Sequence, residues 1–301
     1  MKIKITFLGT GQAIPTAKRN HSAILLNYKD ENILIDCGEG TQRQFKKAKL
    51  NMCKITRLLI THWHGDHILG IPGMLQTLAL NNYSKTLKIY GPKGTKKFID
   101  LMYELFVHKE KIKIEVNEIS SGTVFKTKDF TIESQPMLHN TPCLAYSFIE
   151  NNKIRINKEK LKKLKLKGKI IAELAKGKDI KINNKKIKVS ELTYKEKGKK
   201  ITIILDTKIN PSIYKISKDS DLLICESTFL GNSENGEKLA KEYFHLTAKQ
   251  AAQIAKISNS KELILTHISQ RYQANEKPIL QEAKKVFKNT KIVNDLEKLE
   301  I

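Results

Sequence analysis

The chain has 301 residues and a formal net charge of +24, enough length for one large hydrophobic core or two modest ones and a strongly basic balance. Hydrophobic residues make up 40%, and no apolar run approaches the ~18 residues of a bilayer span, which excludes a membrane helix and predicts a soluble globular protein. The four cysteines (Cys37, Cys53, Cys143 and Cys225) form no CxxC pair, and Met1-Lys-Ile-Lys-Ile5 leads into a strand rather than a signal peptide, so reduced thiols in a cytoplasmic protein are expected.

The charge is not spread evenly. Residues 151–200 hold 19 Lys and Arg against 5 Asp and Glu, a balance of +14, which leaves +10 for the other 251 residues. A Lys-, Ile- and Asn-rich composition would raise the total, but a concentrated segment predicts an anionic partner, nucleic acid ahead of membrane.

In chain order, Lys2 to Phe7 alternates as a strand and stops at Gly9-Thr10-Gly11. A polar loop, Pro15-Thr-Ala-Lys-Arg19-Asn20, precedes strands Ser22 to Tyr28 and Asn32 to Cys37, which a turn at Lys29-Asp30-Glu31 joins. Gly38 and Gly40 break the chain before a helix, Thr41 to Lys49. The apolar run Ile55 to Ile60 reads as a buried strand. It ends in His62, His64, Asp66 and His67, four ligand-type side chains within six positions. Residues two apart share a side of an extended chain, so His62 and His64 can serve one ion. Asp66 and His67, past Gly65, aim elsewhere and can serve a second. Imidazole and carboxylate together suit zinc, with manganese or iron as less favoured occupants.

A helix from His67 to about Asn81 follows, irregular at Gly70, Pro72 and Gly73, with its positive N-terminus beside the metal site. Strand Leu87 to Tyr90, helix Thr95 to Phe106 and strand Lys113 to Ile119 are α/β material. The strand pair Thr123 to Lys126 and Phe130 to Gln135 leads to His139. In the second half, Ile201 to Leu205 runs into Asp206, Leu222 to Ile224 runs into Cys225-Glu226, and Leu263 to Leu265 runs into Thr266-His267. Leu59-Ile-Thr-His62 is echoed by Ile264-Leu-Thr-His267. Ligands gather at the carboxyl ends of strands in α/β sheets, and Asp66, His67, His139, Asp206 and His267 complete a set around the first pair. Within residues 151–200 a Lys-rich stretch, Lys158 to Leu174, places Leu161, Leu164 and Ile171 at helical spacing. With Tyr194 as its one aromatic residue, the segment reads as a grip on phosphate backbone without base preference, or else as a solvated surface.

The HxHxDH run resembles the signature of the metallo-β-lactamase superfamily. That resemblance implies an α/β fold, a four-layer αββα sandwich of two mixed β-sheets flanked by helices, usually hydrolytic and usually holding two metals. The chain would be a single such domain over 1–301 with a protruding basic arm at about 152–199. The Pro15 to Asn20 loop, Asp206-Thr207, Cys225-Glu226-Ser227-Thr228, His245-Leu-Thr-Ala-Lys-Gln-Ala-Ala252 and Thr266-His267-Ile-Ser-Gln-Arg271-Tyr272 together are similar to the ribonuclease Z family in its short form.

By that resemblance, His62, His64 and His139 hold one zinc, Asp66, His67 and His267 hold the other, and Asp206 bridges them. Asp66 also acts as general base, Glu226 with His245 delivers a proton to the leaving oxygen, and Arg19, Asn20 and Arg271 lie near substrate phosphates. The arm holds the body of a precursor tRNA, often from the other subunit of a homodimer, and manganese can replace zinc. The products would be a tRNA with a free 3′-hydroxyl and a trailer with a 5′-phosphate. Two departures stand out: Cys225 and Ser227 replace the His and Ala of the family's usual His-Glu-Ala-Thr tetrad, and the arm lacks a Gly-Pro-rich tip. A hydrolase of small esters, thioesters or phosphodiesters, and an RNA-binding protein with a vestigial metal site, are the rival readings.

Overall fold

A computed structural model describes residues 2–106, 112–164, 169–175, 177, 179–182 and 185–301. In strands such as Lys4–Gly9 and Leu222–Glu226 nearly every side chain is buried, so each sheet must be covered on both faces. Two seven-stranded mixed sheets satisfy this by packing on each other. In spatial order the first runs Lys298–Glu300, Lys4–Gly9, Ala23–Tyr28, Glu31–Ile35, Arg57–Leu59, Leu87–Gly91, Ile114–Glu118. The second runs Thr290–Ile292, Leu263–Thr266, Leu222–Glu226, Lys200–Ile204, Cys143–Glu150, Phe130–Met137, Gly122–Lys126. Phe7, Tyr28, Ile33 and Leu59 from one sheet and Phe130, Tyr146, Phe148 and Ile203 from the other fill the space between them. The outer faces carry helices, through Ile71, Met74, Leu75 and Ile99 on one side and Ile213, Ala251, Ile254 and Ile279 on the other. This is the four-layer α/β sandwich with helices outside.

Strand direction positions the site. From Glu31–Ile35 onward the strands of the first sheet are parallel, as are Lys200–Ile204, Leu222–Glu226, Leu263–Thr266 and Thr290–Ile292 in the second. Phe130–Met137 is antiparallel to Cys143–Glu150, which is antiparallel to Lys200–Ile204, so its end lies on the same edge as theirs. The two sheets are stitched there: the Leu144 N–H donates to the Thr61 carbonyl at 2.9 Å and the Tyr146 hydroxyl to the Ile60 carbonyl at 2.7 Å.

Two expectations change. The single helix from His67 to Asn81 is two, Gly65–Ile68 and Ile71–Leu80, because the chain at Gly70 presses on the neighbouring backbone. A Cβ there would meet the Gly38 carbonyl oxygen at 2.2 Å. Only the short helix starts at the site, and it carries Asp66 and His67 in its single turn. The second change is in the arm, where the amphipathic stretch Lys158 to Leu174 forms the helices Lys158–Lys163 and Lys169–Ala175, residues 165–168 lying outside those described. Leu161 and Leu174 are buried with Ile180 and Leu192, whereas Leu164 is exposed. The arm therefore has a small core of its own, on a stem formed by Lys153–Ile156 paired with Thr193–Glu196. Among the described residues no helix is long and apolar enough to cross a membrane.

Candidate active site

Strand ends from both sheets deliver the chemistry to one edge. His62 and His64 follow Arg57–Leu59, His139 follows Phe130–Met137, Asp206 follows Lys200–Ile204, Glu226 closes Leu222–Glu226 and His267 follows Leu263–Thr266. Asp36 and His267 hold left-handed backbone, φ 56° and 58°, a conformation that Asp and His adopt more readily than most residues and that turns their side chains inward from the strand ends.

Asp206 sits at the centre, and its two carboxylate oxygens face different partners. Oδ2 lies 3.5 Å from His62 Nε2 and 3.8 Å from His139 Nε2, while Oδ1 lies 3.1 Å from His267 Nε2 and 3.5 Å from His67 Nε2. His64 Nδ1 joins the first group, 3.2 Å from His139 Nε2. Asp66 joins the second, its Oδ2 3.3 Å from His67 Nε2 and 3.4 Å from His267 Nε2. Two clusters result, His62, His64, His139 with Asp206, and Asp66, His67, His267 with Asp206, the ligand atoms of each lying within 4.8 Å of one another.

The residues fit metal ions. His62 Nε2, His67 Nε2 and Asp206 Oδ1 are buried with no hydrogen-bond partner, which is costly unless a cation accepts their lone pairs. The opposite ring nitrogens are anchored. His67 Nδ1 meets Asp36 Oδ2 at 2.6 Å, His62 Nδ1 meets Thr61 Oγ1 at 3.0 Å, His139 Nδ1 meets the Phe244 carbonyl at 3.1 Å and His267 Nδ1 meets Thr228 Oγ1 at 3.0 Å. Thr61 donates its hydroxyl proton to Asp36 at 2.7 Å and Thr228 donates its own to Glu226 at 2.6 Å, so both hydroxyl oxygens are free to accept from the imidazoles. With cations bound, each of these rings would carry its proton on Nδ1 and turn the Nε2 lone pair to the centre; without them burial works against a charged His67, but the Asp66, Asp206 and Asp36 carboxylates outweigh it and hold that ring well above the usual imidazole range. Burial, helped by the neighbouring His67, pushes His62 down to about 4, which keeps it neutral as a ligand must be. Burial also lowers His64 and His139. For Asp66 burial opposes ionisation, but His67 and His267 outweigh it and hold the carboxylate charged.

Beside these clusters lies a carboxylate–imidazole pair. His245 Nδ1 is 3.1 Å from Glu226 Oε2, both side chains buried. Burial works against a charged ring, yet the Glu226 and Asp206 carboxylates more than offset it and raise His245 to about 9. Glu226 is held by the Thr207 N–H at 2.7 Å and the Thr228 hydroxyl.

This metal-binding edge of an αββα sandwich has close counterparts. Ribonuclease Z of Methanosarcina mazei is 37% identical over 302 residues, covering 99% of this chain and 98% of its own, and ribonuclease Z of Methanothermobacter thermautotrophicus is 39% identical over 99% and 97%. The chain belongs to the ribonuclease Z family. The structure of human tRNase Z, short form, superposes with a TM-score of 0.72 at 29% identity, covering 98% of each chain. The Bacillus subtilis metallo-β-lactamase fold protein YhfI shares the fold at 20% identity and a TM-score of 0.71, covering 100% and 99%. Residues 3–174 also match the family model described as anti-Pycsar protein Apyc1, so the chain belongs to that family too over this span. The span ends before Asp206, Glu226, His245 and His267, whereas the two ribonuclease Z relatives align with 99% of the chain.

Arg19 and Asn20, expected near substrate phosphates, are both engaged within the protein. Arg19 is buried, and all five of its guanidinium donors have acceptors: Nε and Nη2 on Glu276, Nη1 on Thr10 Oγ1 and the Val293 carbonyl, and Nη2 again on Asn294. Asn20 donates its side-chain amide to the Glu39 carbonyl at 2.5 Å and its backbone N–H to Asp295 Oδ2 at 2.7 Å. These two fix the loop to the C-terminal segment, and the loop meets the site instead at Ala13, whose N–H donates to Asp66 Oδ2 at 2.9 Å. Arg271 is exposed with its guanidinium 5.4 Å from the Phe229 ring, itself 6.1 Å from His245. Sequence reasoning passes over Asp36, Thr61 and Thr228. Asp36 carries a usable signal, an acid directly after the strand Glu31–Ile35, and the two threonines stand inside motifs, Thr61 before His62 and Thr228 at the end of the Cys225–Thr228 tetrad, without their orienting role being visible there.

Proposed function

We propose that this ribonuclease Z family chain removes the 3′ trailer from precursor tRNA by hydrolysing one phosphodiester, using two zinc ions per subunit with manganese as substitute. The observation that carries the reading is the division of Asp206, one oxygen toward His62 and His139 and the other toward His67 and His267. His62, His64 and His139 hold one ion and Asp66, His67 and His267 the other. Bound there, the pair lowers the pKa of water and neutralises charge on the phosphate.

The chain's own groups move the protons. Asp66, kept ionised by the imidazoles around it, takes a proton from the attacking water through its carboxylate. The water oxygen bonds to phosphorus as the bond from phosphorus to O3′ breaks. His245, held charged by Glu226, gives its proton to O3′, which leaves as the tRNA 3′-hydroxyl, and the trailer keeps a 5′-phosphate. Arg271, exposed beside this pair, offers a cation to the neighbouring backbone.

The arm, about residues 152–199 inserted in a single domain, supports the choice of a nucleic acid over a small ester, because a segment with a balance of +13 serves no purpose against a small substrate. It grips the tRNA body as part of a homodimer, in the cytoplasm. The decisive experiment incubates the purified protein with a 3′-extended tRNA, with and without a chelator, and maps the ends. Chelator-sensitive cutting at the trailer junction with a 3′-hydroxyl is expected; chelator-resistant cutting, or a 2′,3′-cyclic end, would refute the mechanism.

A further inference from the structure

Next to the acid lies a recess of about 490 Å³ whose walls include His245, Lys208, Ile209, Lys238 and Lys241. His245 is the one residue of the Glu226–His245 pair that lines it. Three of its walls are cationic. Lys208 is placed by the machinery itself, its N–H donating to the Leu138 carbonyl at 2.8 Å and its ammonium resting 3.4 Å from the centre of the Phe244 ring. Lys238 and Lys241 stand one turn apart on the helix Gly236–Tyr243, which ends at Phe244 and so hands the chain to His245. The one acid in the lining, Glu237, is within 3.5 Å of Lys249 and is partly neutralised there. Ile209, 40% exposed, supplies an apolar wall.

We propose that this recess binds the nucleotide on the 5′ side of the cut, with Lys208, Lys238 and Lys241 on the phosphate that precedes it and Ile209 against its sugar or base; this rests on the proposed proton delivery by His245. Bond polarity sets the direction. The oxygen that leaves is O3′, it belongs to the nucleotide that stays on the tRNA, and it must come within reach of His245 to be protonated. The chain leading away from that oxygen therefore enters the space that His245 lines, and the trailer leaves on the other side of the site. A nucleotide brings one phosphate and one flat apolar face, which is the chemistry the recess offers.

The test uses full-length protein and precursor tRNAs carrying a neutral methylphosphonate at a single position. With wild-type protein, neutralising the phosphate that precedes the last tRNA nucleotide raises KM about five- to tenfold, while Lys238→Ala/Lys241→Ala raises KM on the unmodified precursor by a similar factor and then shows no further loss on the modified one. The double variant also lowers the slope of log KM against log salt by about 0.7–0.9 for each phosphate that the lysines no longer neutralise. Lys238→Arg/Lys241→Arg keeps both charges and the wild-type response, whereas Lys238→Gln/Lys241→Gln, which keeps the helix propensity but not the charge, behaves as the alanine pair does, which a merely structural role for the helix would not predict. The inference is overturned if the double variant remains as sensitive as wild type to that methylphosphonate, or if its sensitivity is lost at the first trailer phosphate instead. Wild-type protein that cuts no precursor overturns the catalytic reading itself, a result distinguishable from either of these.

Discussion

Asp36 Oδ2 lies 2.6 Å from His67 Nδ1, and both side chains are wholly buried. The same carboxylate accepts the Thr61 N–H and the Thr61 hydroxyl, each at 2.7 Å, so one acid orients His67 directly and His62 through Thr61. It touches neither cluster centre, yet one imidazole of each cluster depends on it.

Asp36→Asn tests that dependence. Asn tolerates the left-handed backbone at this position and keeps the shape, but its amide presents two donors where the site needs only acceptors. Metal affinity should fall about 10- to 100-fold, read by competition with a chromogenic chelator, with the far-ultraviolet dichroism unchanged. Wild-type affinity in a folded variant would show that the imidazoles need no such partner.

Arg19→Lys separates scaffold from substrate contact. One ammonium cannot reproduce five donors in a planar fork, and Glu276 would keep its charge in a partly buried place. Stability should drop by about 3 kcal/mol in denaturant titration, with KM for precursor tRNA little changed at a temperature where the variant is folded. A large rise in KM at full stability would return Arg19 to the substrate.

What the sequence discloses, and what it hides, follows from the range of the interactions. His62, His64, Asp66 and His67 stand out because a continuous apolar strand stops in four ligand types, and Asp206 and His267 repeat that pattern on other buried strands of the parallel set. The partners of Arg19 are hidden for the opposite reason. A cation beside Asn20 in a polar loop looks directed at a ligand, and apart from Thr10 its partners, Glu276, Val293 and Asn294, lie more than 250 residues away, so no local pattern can reveal them. The strand Cys143–Glu150 carries no signature because it is buried on both faces and lodges Ser147 inside, where that hydroxyl bonds to Thr202 at 2.5 Å. The break at Gly70 is likewise a tertiary contact rather than a local preference.

The Glu226–His245 pair has a chemical test that separates proton delivery from shape. His245→Ala should slow cleavage about 10²- to 10⁴-fold on the natural precursor. A precursor with sulfur in place of O3′ at the junction leaves as a thiolate, whose conjugate acid is far stronger than an alcohol, as the cysteine thiol with a pKa of about 8.5 illustrates, and needs far less help from an acid. On that substrate the variant should recover to within about tenfold of wild type, and Glu226→Gln should show a smaller version of the same pattern. An equal defect on both substrates would mean that His245 holds the site together rather than protonating the leaving group.

Removal of the arm distinguishes a tRNA nuclease from a hydrolase of small phosphodiesters on the same fold. The strands that carry it are in register, Ile149 opposite Lys200, and the Glu150 N–H donates to the Lys199 carbonyl at 2.8 Å, so a tight turn can close the gap. The arm's buried cluster of Leu161, Leu174, Ile180 and Leu192 is separate from the core between the two sheets and from those under the outer helices, so the catalytic layers keep their packing without it. At its base a Cβ on Gly198 would meet the Glu150 carbonyl oxygen at 1.9 Å, so the replacement turn should take Gly198 out together with the arm. Deleting residues 152–199 removes most of the +14 segment and should raise KM for precursor tRNA at least 100-fold in 0.15 M salt, given the steep salt dependence of phosphate contacts. Hydrolysis of bis(p-nitrophenyl) phosphate should stay within about twofold, because every ligand and the Glu226–His245 pair remain. If precursor cleavage survives the deletion at wild-type KM, the arm is surface charge and the choice of tRNA must come from the sandwich itself.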